Sequence, residues 1–466
     1  MGGAVGKAAA TVVAQRISGK SPAPAPSPSP SPSPSAAPAP APAPSPSPSR
    51  SNRRFFDADS LLDSVEGGAI ALLSGRYLIT LHQRGGQLQR RQDLPPEAFF
   101  SIKKLRRLVA ALGQEWGRLF VAISYRWLTA DHPDPDGFHL AIIARVAELY
   151  LKPEHMHGHR SPLVEAFETM GESRADFGVM WDFGSLFQKP RTGTQTELFK
   201  QGLGTLPMWY GHVETTIWMQ PDLPDGFGER MLQLDLAQTY DTSGWCYVES
   251  SMSAGIKRGD RRLNLGLRTE RALSQAYGGD AWTPEYRLDF VCTARRPPPM
   301  APEAVAEELR NGGKKFTSNA DVEVVAELYR SYFEGISSTA THLDFAGLRW
   351  ADPEVTQLAA VLPRFTSAAR LDLAENLVGP DGAAALAPAL ADSLLTSVNV
   401  LCNQLDRKSA KMLAAVAKQK GFSLCGIEPE DTTANFESHS LTPADAILLA
   451  SDLSQARVTG SLTKLL

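Results

Sequence analysis

Cysteine is scarce in this chain: 466 residues hold four, Cys246, Cys292, Cys402 and Cys425, and no two form a CxxC pair. That spacing argues against a disulfide framework or a cysteine zinc site and fits reduced thiols in an intracellular, cytoplasmic protein. A charge bias is also missing. Lys plus Arg (47) against Asp plus Glu (51) gives a formal charge of -4, so global electrostatics offer nothing to nucleic acid or to an anionic membrane. No apolar run approaches the ~20 residues of a transmembrane segment. Acids are absent from residues 1–56, and Ser21 to Ser49 is nothing but Pro, Ala and Ser. Such a tract cannot bury a core, and alternating proline favours an extended polyproline II spacer, so a disordered tail is expected there. Three readings of its first twenty residues stay open. Gly2, Gly6 and Lys7 meet part of an N-myristoylation pattern that prefers Ser or Thr at position 6. Lys7, Arg16 and Lys20 without acids suit an organelle transit peptide. A plain tail is the third. The proline repeat suits an SH3-like or WW-like groove, or a linker.

What is present begins near Phe55. Ala69 to Leu73 and Tyr77 to Leu81 are short apolar runs joined by Ser74 and Gly75, which predicts a hairpin. Pro95 and Pro96 are expected to open a helix with Phe99, Ile102, Leu105, Leu108, Val109 and Leu112 on one face, closed by Gly113. Lys103, Lys104, Arg106 and Arg107 fall on its other side, as a solvated face or a basic docking patch.

The stretch with most chemistry is Arg118 to Gly137. Leu119 to Ile123 is an unbroken apolar run, the pattern of a strand buried on both faces of a parallel sheet. Ser124, Tyr125, Arg126 and Trp127 follow at once, before a Pro/Asp/Gly loop. In an open α/β sheet the carboxyl ends of the strands form the ligand crevice, which is where this polar cluster falls. The alternative is a core edge that Arg126 and Trp127 merely cover. Phe138 to Tyr150 reads as the next helix. His132 to Ile143 has the acids of a calcium loop at its start, yet its twelfth position is Ile143 where a bidentate acid is required. His155, His157 and His159 alternate without matching carboxylates or thiols, so no metal site is assigned. Phe177 to Phe183 predicts a second strand ending near Asp182, Thr194 to Trp209 a helix, Val213 to Met219 a third strand, and Met231 to Tyr240 an amphipathic segment. Ser243 is a helix cap that places Trp245 and Glu249 one turn apart on the same face.

In that order the residues resemble the Toll/interleukin-1 receptor (TIR) domain: a strand running into Ser124-Tyr125-Arg126, a second ending at Asp182, a third, then Ser-x-Trp-Cys-x-x-Glu. They are similar also to the fungal heterokaryon-incompatibility (HET) domain, whose strand ending Ser-Tyr-x-Trp matches Ser124, Tyr125 and Trp127, and whose later Gly-Trp-x-x-x-Glu matches Gly244, Trp245 and Glu249. The resemblance covers about 118–255. It implies a flavodoxin-like parallel α/β domain over 57–335 that cleaves the glycosidic bond of NAD+ as substrate, without a prosthetic group. Glu249 matches the catalytic glutamate, and Ser124, Arg126, Trp127, Asp182 and Trp245 would line the dinucleotide site. A carboxylate there can stabilise an oxocarbenium-like ribose or orient the attacking water. Departures are the His-rich insertion, the long loop before Ser243, and Trp127 where TIR domains usually carry glycine. Many such domains only self-associate, so a non-catalytic scaffold, with Glu249 as a helix-surface carboxylate or core-edge ion pair, is the alternative.

Leu263 to Glu334 is expected to finish this domain, with a strand at Leu288 to Thr293 and helices at Pro302 to Arg310 and Asn319 to Phe333. Beyond it is a repeat. Residues 342–348, 370–377 and 397–405 superpose, with Leu343 to Leu371 a step of 28 and Leu371 to Val398 a step of 27. That period, with Asn376 and Asn403 at the turn, resembles ribonuclease-inhibitor-type leucine-rich repeats, implying an α/β solenoid over 338–466 and a protein partner on its face. Asp344, Asp372 and Asn399 fall on the exposed alternate positions, as ordinary solvated residues. The register slips after Cys425, and the array stops without a polar cap, as a truncated chain or an oligomer would. The expected whole is an intracellular signalling or interaction protein.

Overall fold

The apolar run before Ser124 forms the middle of a five-stranded sheet. The computed structural model describes residues 54–152, 161–268, 284–428, 430–437, 440–455, 458 and 460–465. Strands β1 (Leu73–Ser74), β2 (Phe120–Tyr125), β3 (Gly178–Met180), β4 (Thr216–Gln220) and β5 (Arg262–Asn264) lie in the order β1-β3-β2-β4-β5. Every residue of β2 is buried, because parallel neighbours flank it. Val121 pairs with Val179 on one side, and Ser124 and Tyr125 pair with Met219 and Gln220 on the other. β5 extends the parallel set and β1 is an antiparallel edge.

The helices of this part are α1 (Ala58–Glu66), α2 (Gly75–Gln83), α3 (Ile102–Leu112), α4 (Phe138–Tyr150), α5 (Pro162–Thr169) and α6 (Asp182–Ser185). They continue with α7 (Gly193–Gly211), α8 (Phe227–Gln233), α9 (Gly244–Ala254), α10 (Pro284–Val291), α11 (Pro302–Asn311) and α12 (Asp321–Ser337). Right-handed crossovers place α4 and α7 on opposite faces of the sheet. The packing agrees: α4 meets α2 and α10, while α7 meets α9 and α12.

Several segments differ from their sequence pattern for local reasons. Ser74 and Gly75 begin a helix, not a hairpin: Ser74 Oγ accepts from Tyr77 N (3.0 Å), an N-cap. Gly75 is required because a side chain there would run into the Phe177 ring. Pro96–Ala98 makes only a 3-10 turn, and α3 starts later, at the Ser101 cap. The second strand ends at Met180, since Asp182 opens α6 and Ser185 Oγ takes the Trp181 N–H (3.0 Å). Residues 288–293 give the end of α10 and one bridge, Leu263 with Thr293, in place of a strand. The Met231 to Tyr240 segment is helical only to Gln233, and Asp235 turns it with a φ of 53°.

C-terminal to α12 the chain repeats a strand-helix unit. Strands β6 (His342–Asp344), β7 (Arg370–Asp372) and β8 (Ser397–Asn399) are parallel, with Leu343, Leu371 and Val398 aligned. They alternate with α13 (Asp352–Val361), α14 (Pro380–Asp392), α15 (Arg407–Lys420) and α16 (Pro443–Leu453). Asn376 Oδ1 accepts from Trp350 N (2.9 Å) while its Nδ2 donates to Phe345 O (2.8 Å) and Leu373 O (3.0 Å). Asn403 repeats this with Val378 N, Leu373 O and Val400 O. These amides satisfy buried backbone groups that the turns leave open. Asp344, Asp372 and Asn399 are more than solvated side chains: each accepts from the backbone N–H two residues on, at Ala346, Ala374 and Leu401. The regular ladder ends after β8. The Asp452 carboxylate takes the N–H groups of Leu424 and Cys425 (2.9 Å each to Oδ2), and a separate parallel pair, β9 (Thr433–Ala434) with β10 (Lys464–Leu465), follows.

The two parts share one apolar cluster, running from Phe55 to Val458. Arg296, 4 % exposed, lies where they meet. It donates from Nε to Ala254 O (2.7 Å), from Nη2 to Gly255 O (3.1 Å) and from Nη1 to Asp344 O (2.7 Å), and Trp350 Nε1 donates to its carbonyl (2.7 Å). One guanidinium thus caps the C-terminus of α9 and holds the first repeat strand. Among the described residues no helix is long and apolar enough to cross a membrane.

Candidate functional site

The chain runs from β2 outward to β3 and then back across to β4, so the direction of winding reverses between β2 and β4. At such a switch point the loops leave in opposite directions and a crevice opens at the carboxyl ends. Ser124, Tyr125 and Gln220 end these two strands, Arg126 and Trp127 follow β2, and α9 brings Glu249 alongside.

Ser124 Oγ donates to Glu249 Oε2 (2.6 Å) and lies 2.6 Å from Tyr240 Oη. With its only proton given to Glu249, Ser124 must accept from Tyr240. Tyr210 Oη donates to Ile123 O (3.0 Å) next to this chain of bonds. Burial pushes the Glu249 carboxyl up to about 8; the Ser124 hydrogen bond opposes the shift, the Asp182 charge adds to it, and Tyr210 opposes it again. Glu249 keeps part of its surface accessible, and the upward shift favours its protonated form near neutral pH. Burial, with Asp182 adding, also holds Tyr125 well above the usual phenol value.

Asp182 forms a second centre. Its Oδ1 accepts from Tyr125 Oη (2.7 Å) and from Phe183 N (2.7 Å), and its Oδ2 accepts from Trp127 Nε1 (2.9 Å). Desolvation raises its pKa and these three donors act against the rise. Adjacent Tyr125 and Ser124 point to opposite faces of β2, so one bonds Asp182 and the other Glu249.

Arg126 is 8 % exposed. Among the described residues its guanidinium makes one hydrogen bond, from Nη1 to Trp127 O (2.7 Å), and its Nε–H has no acceptor. Among the described residues no carboxylate pairs with it. Its carbonyl meets His139 Nε2 (2.9 Å), and His139 Nδ1 lies 3.4 Å from Gln220 Nε2. The Gln220 Oε1, also buried, has no partner.

The sequence candidates are therefore brought together in part. Ser124 and Glu249 touch, Trp127 and Asp182 touch, and Arg126 follows Ser124 and Tyr125 on the same strand end. Trp245 turns elsewhere: its Nε1 donates to Asp321 Oδ2 (3.3 Å) on α12. His155, His157 and His159 lie outside the described residues, and among those described no group of three His, Cys, Asp or Glu side chains is arranged to hold a metal. Tyr240, Tyr210, His139 and Gln220 were not singled out from sequence. Tyr240 is 116 residues from the serine it bonds, and no local pattern signals such a pair. No protein-family model matches the chain, and neither a curated protein nor a solved structure proves significantly similar to it.

Proposed function

We propose that the first part is a TIR/HET-like, flavodoxin-like α/β domain that hydrolyses the N-glycosidic bond of NAD+, and that the second is a short array of ribonuclease-inhibitor-type leucine-rich repeats serving as its partner-binding arm. Glu249 carries this reading: a half-buried carboxyl hydrogen-bonded to Ser124 at the strand-order reversal, with an unpaired guanidinium, Arg126, at the end of the same strand. The four parallel strands, in the order β3-β2-β4-β5, support this reading, since they correspond to the first four of the flavodoxin-like order, with β1 as an added antiparallel edge. A planar guanidinium suits the pyrophosphate of a dinucleotide.

In this chemistry the bond from ribose C1′ to the pyridinium nitrogen breaks with its electron pair going to nicotinamide. Water adds to C1′ and gives up a proton, leaving ADP-ribose. A cationic pyridinium beside Glu249 favours the charged carboxylate and lowers its pKa. The ionised group then faces the oxocarbenium-like ribose as positive charge grows there, and orients the water. The Asn376 and Asn403 ladders and the 28- and 27-residue steps support the repeat assignment, and four free thiols fit a reducing, intracellular setting.

A second reading has its own observation. Ser124 and Glu249 satisfy each other under Tyr240, as in a closed structural cluster, which suits a domain that self-associates without turnover. NAD+ consumption by the full chain at high protein concentration, for wild type and Glu249→Gln, separates the two. Turnover lost in a folded variant supports the hydrolase; absence of turnover in both leaves the scaffold.

A further inference from the structure

Residues 223–238 lie over the switch point on a hydrophobic cluster of their own. Phe227 (1 % exposed), Met231 and Leu128 form it, with Leu223, Leu236 and Phe138 packed around them, apart from the main core. Its members come from two sources only: the segment after β4, and the loop and helix start after β2. Among the described residues the backbone hydrogen bonds of 223–238 close within the segment, such as Leu236 N to Met231 O (2.9 Å) and Phe227 N to Pro224 O (3.1 Å). Among the described residues one side-chain bond leads out of it, the exposed pair Lys315 Nζ to Asp235 Oδ1 (2.8 Å), and such pairs hold little. Its ends are turned by left-handed residues, Gly226 (φ 70°) and Asp235 (φ 53°). Tyr240, just beyond, belongs to the main core and is fixed on Ser124.

Beneath this segment the Phe227 ring centroid lies 5.8 Å from the Arg126 guanidinium carbon. An aromatic face is a weak substitute for an anion. A buried cation without a counter-charge is costly, and an Arg fork offers five N–H donors of which one is used here. The unpartnered Nε–H of Arg126 and the unpartnered Oε1 of Gln220 end the two strands between which ligands enter this kind of sheet.

We infer that residues 223–238 are a lid now closed over Arg126, the guanidinium that the dinucleotide reading assigns to the pyrophosphate. The inference rests on the dinucleotide reading for its ligand class and adds to it how the site is gated. A site open for a fraction f of the time binds with an apparent Kd raised by 1/f, so loosening the lid tightens binding. Met231→Ala thins the lid cluster without touching Arg126.

The test is calorimetric titration of the full chain with inorganic pyrophosphate, beside amide hydrogen exchange of 223–238. Wild type is expected to bind one pyrophosphate, and Arg126→Gln to weaken it at least tenfold while Arg126→Lys, which keeps the charge, retains part of it. Met231→Ala is expected to tighten binding severalfold and to speed exchange in 223–238, and added pyrophosphate, which selects the open state, is expected to speed that exchange in wild type as well. Equal affinity in Arg126→Gln and wild type overturns the assignment of Arg126; a Met231→Ala variant with unchanged affinity and unchanged exchange overturns the lid. If NAD+ is not consumed while these results hold, the hydrolase reading fails alone. If NAD+ is consumed and pyrophosphate is indifferent to Arg126, this inference fails alone.

Discussion

Glu249 makes the native state respond to pH. Its carboxyl titrates near the ordinary 4.5 when unfolded and at about 8 when folded. Between those values the native state holds one more proton, so stability falls as pH rises, by about 1.4 kcal/mol per unit where the difference is complete. The contribution is present in full below 4.5 and gone above 8. Glu249→Gln keeps the neutral shape and removes the titration, so urea melts at pH 5.5 and 8.5 should show a drop of a few kcal/mol in wild type and a much smaller one in the variant. Equal drops would place the titration elsewhere. Under the proposed hydrolase reading the catalytic sign would be opposite, because that chemistry needs the carboxylate in the free protein: kcat/KM for NAD+ is then expected to rise with pH and level off above about 8.

Among elements, the repeat turns make the clearest demand on single side chains. Asn376→Ala orphans the Phe345 carbonyl and the Trp350 N–H inside the array, while the Leu373 carbonyl keeps Asn403 Nδ2, an expected loss of about 3 kcal/mol. Asn399 accepts its local turn bond and its side chain hydrogen-bonds the Asp372 carboxylate at the edge of the array, so Asn399→Ala should cost less, about 1 kcal/mol. Chemical denaturation of both variants checks the contrast. The same elements show what sequence can carry. β2 and the three repeat strands were readable because burial on both sides, or a fixed step, writes itself into consecutive residues. α2 was not, because Ser-Gly serves a hairpin and an N-cap alike, and only the Ser74 bond to Tyr77 N chooses. The Ser124 and Glu249 pairing followed from motif order, whereas Tyr240 and the lid cluster depend on contacts between distant loops. Trp245 shares a helical face with Glu249 in the pattern, yet its indole is drawn off by Asp321, which only the tertiary fold supplies.

For the molecule as a whole, the joint between its two parts is the issue. Arg296 satisfies carbonyls from α9 and from β6 with one side chain, and Trp350 returns a bond to it. Cutting the chain after residue 337 removes those partners and uncovers the core they close, so a 54–337 fragment is expected to melt well below the full chain by calorimetry. Arg296→Met in the full chain leaves three buried carbonyls open and should cost about 3 kcal/mol or more. Amide exchange in the last turn of α9 is expected to quicken at least tenfold; unchanged protection there would show that the guanidinium does not hold the helix.

That joint also sets a thermodynamic condition. α9 carries Glu249 at mid-length and ends on the guanidinium that fixes the first repeat strand, so the two regions share one mechanical element. A ligand that repositions α9 and a protein that repositions β6 act on the same free energy, and equilibrium coupling is reciprocal. If a ligand occupies the crevice and a protein the repeat face, as proposed, whatever factor the first imposes on affinity at that face the second must impose on the first.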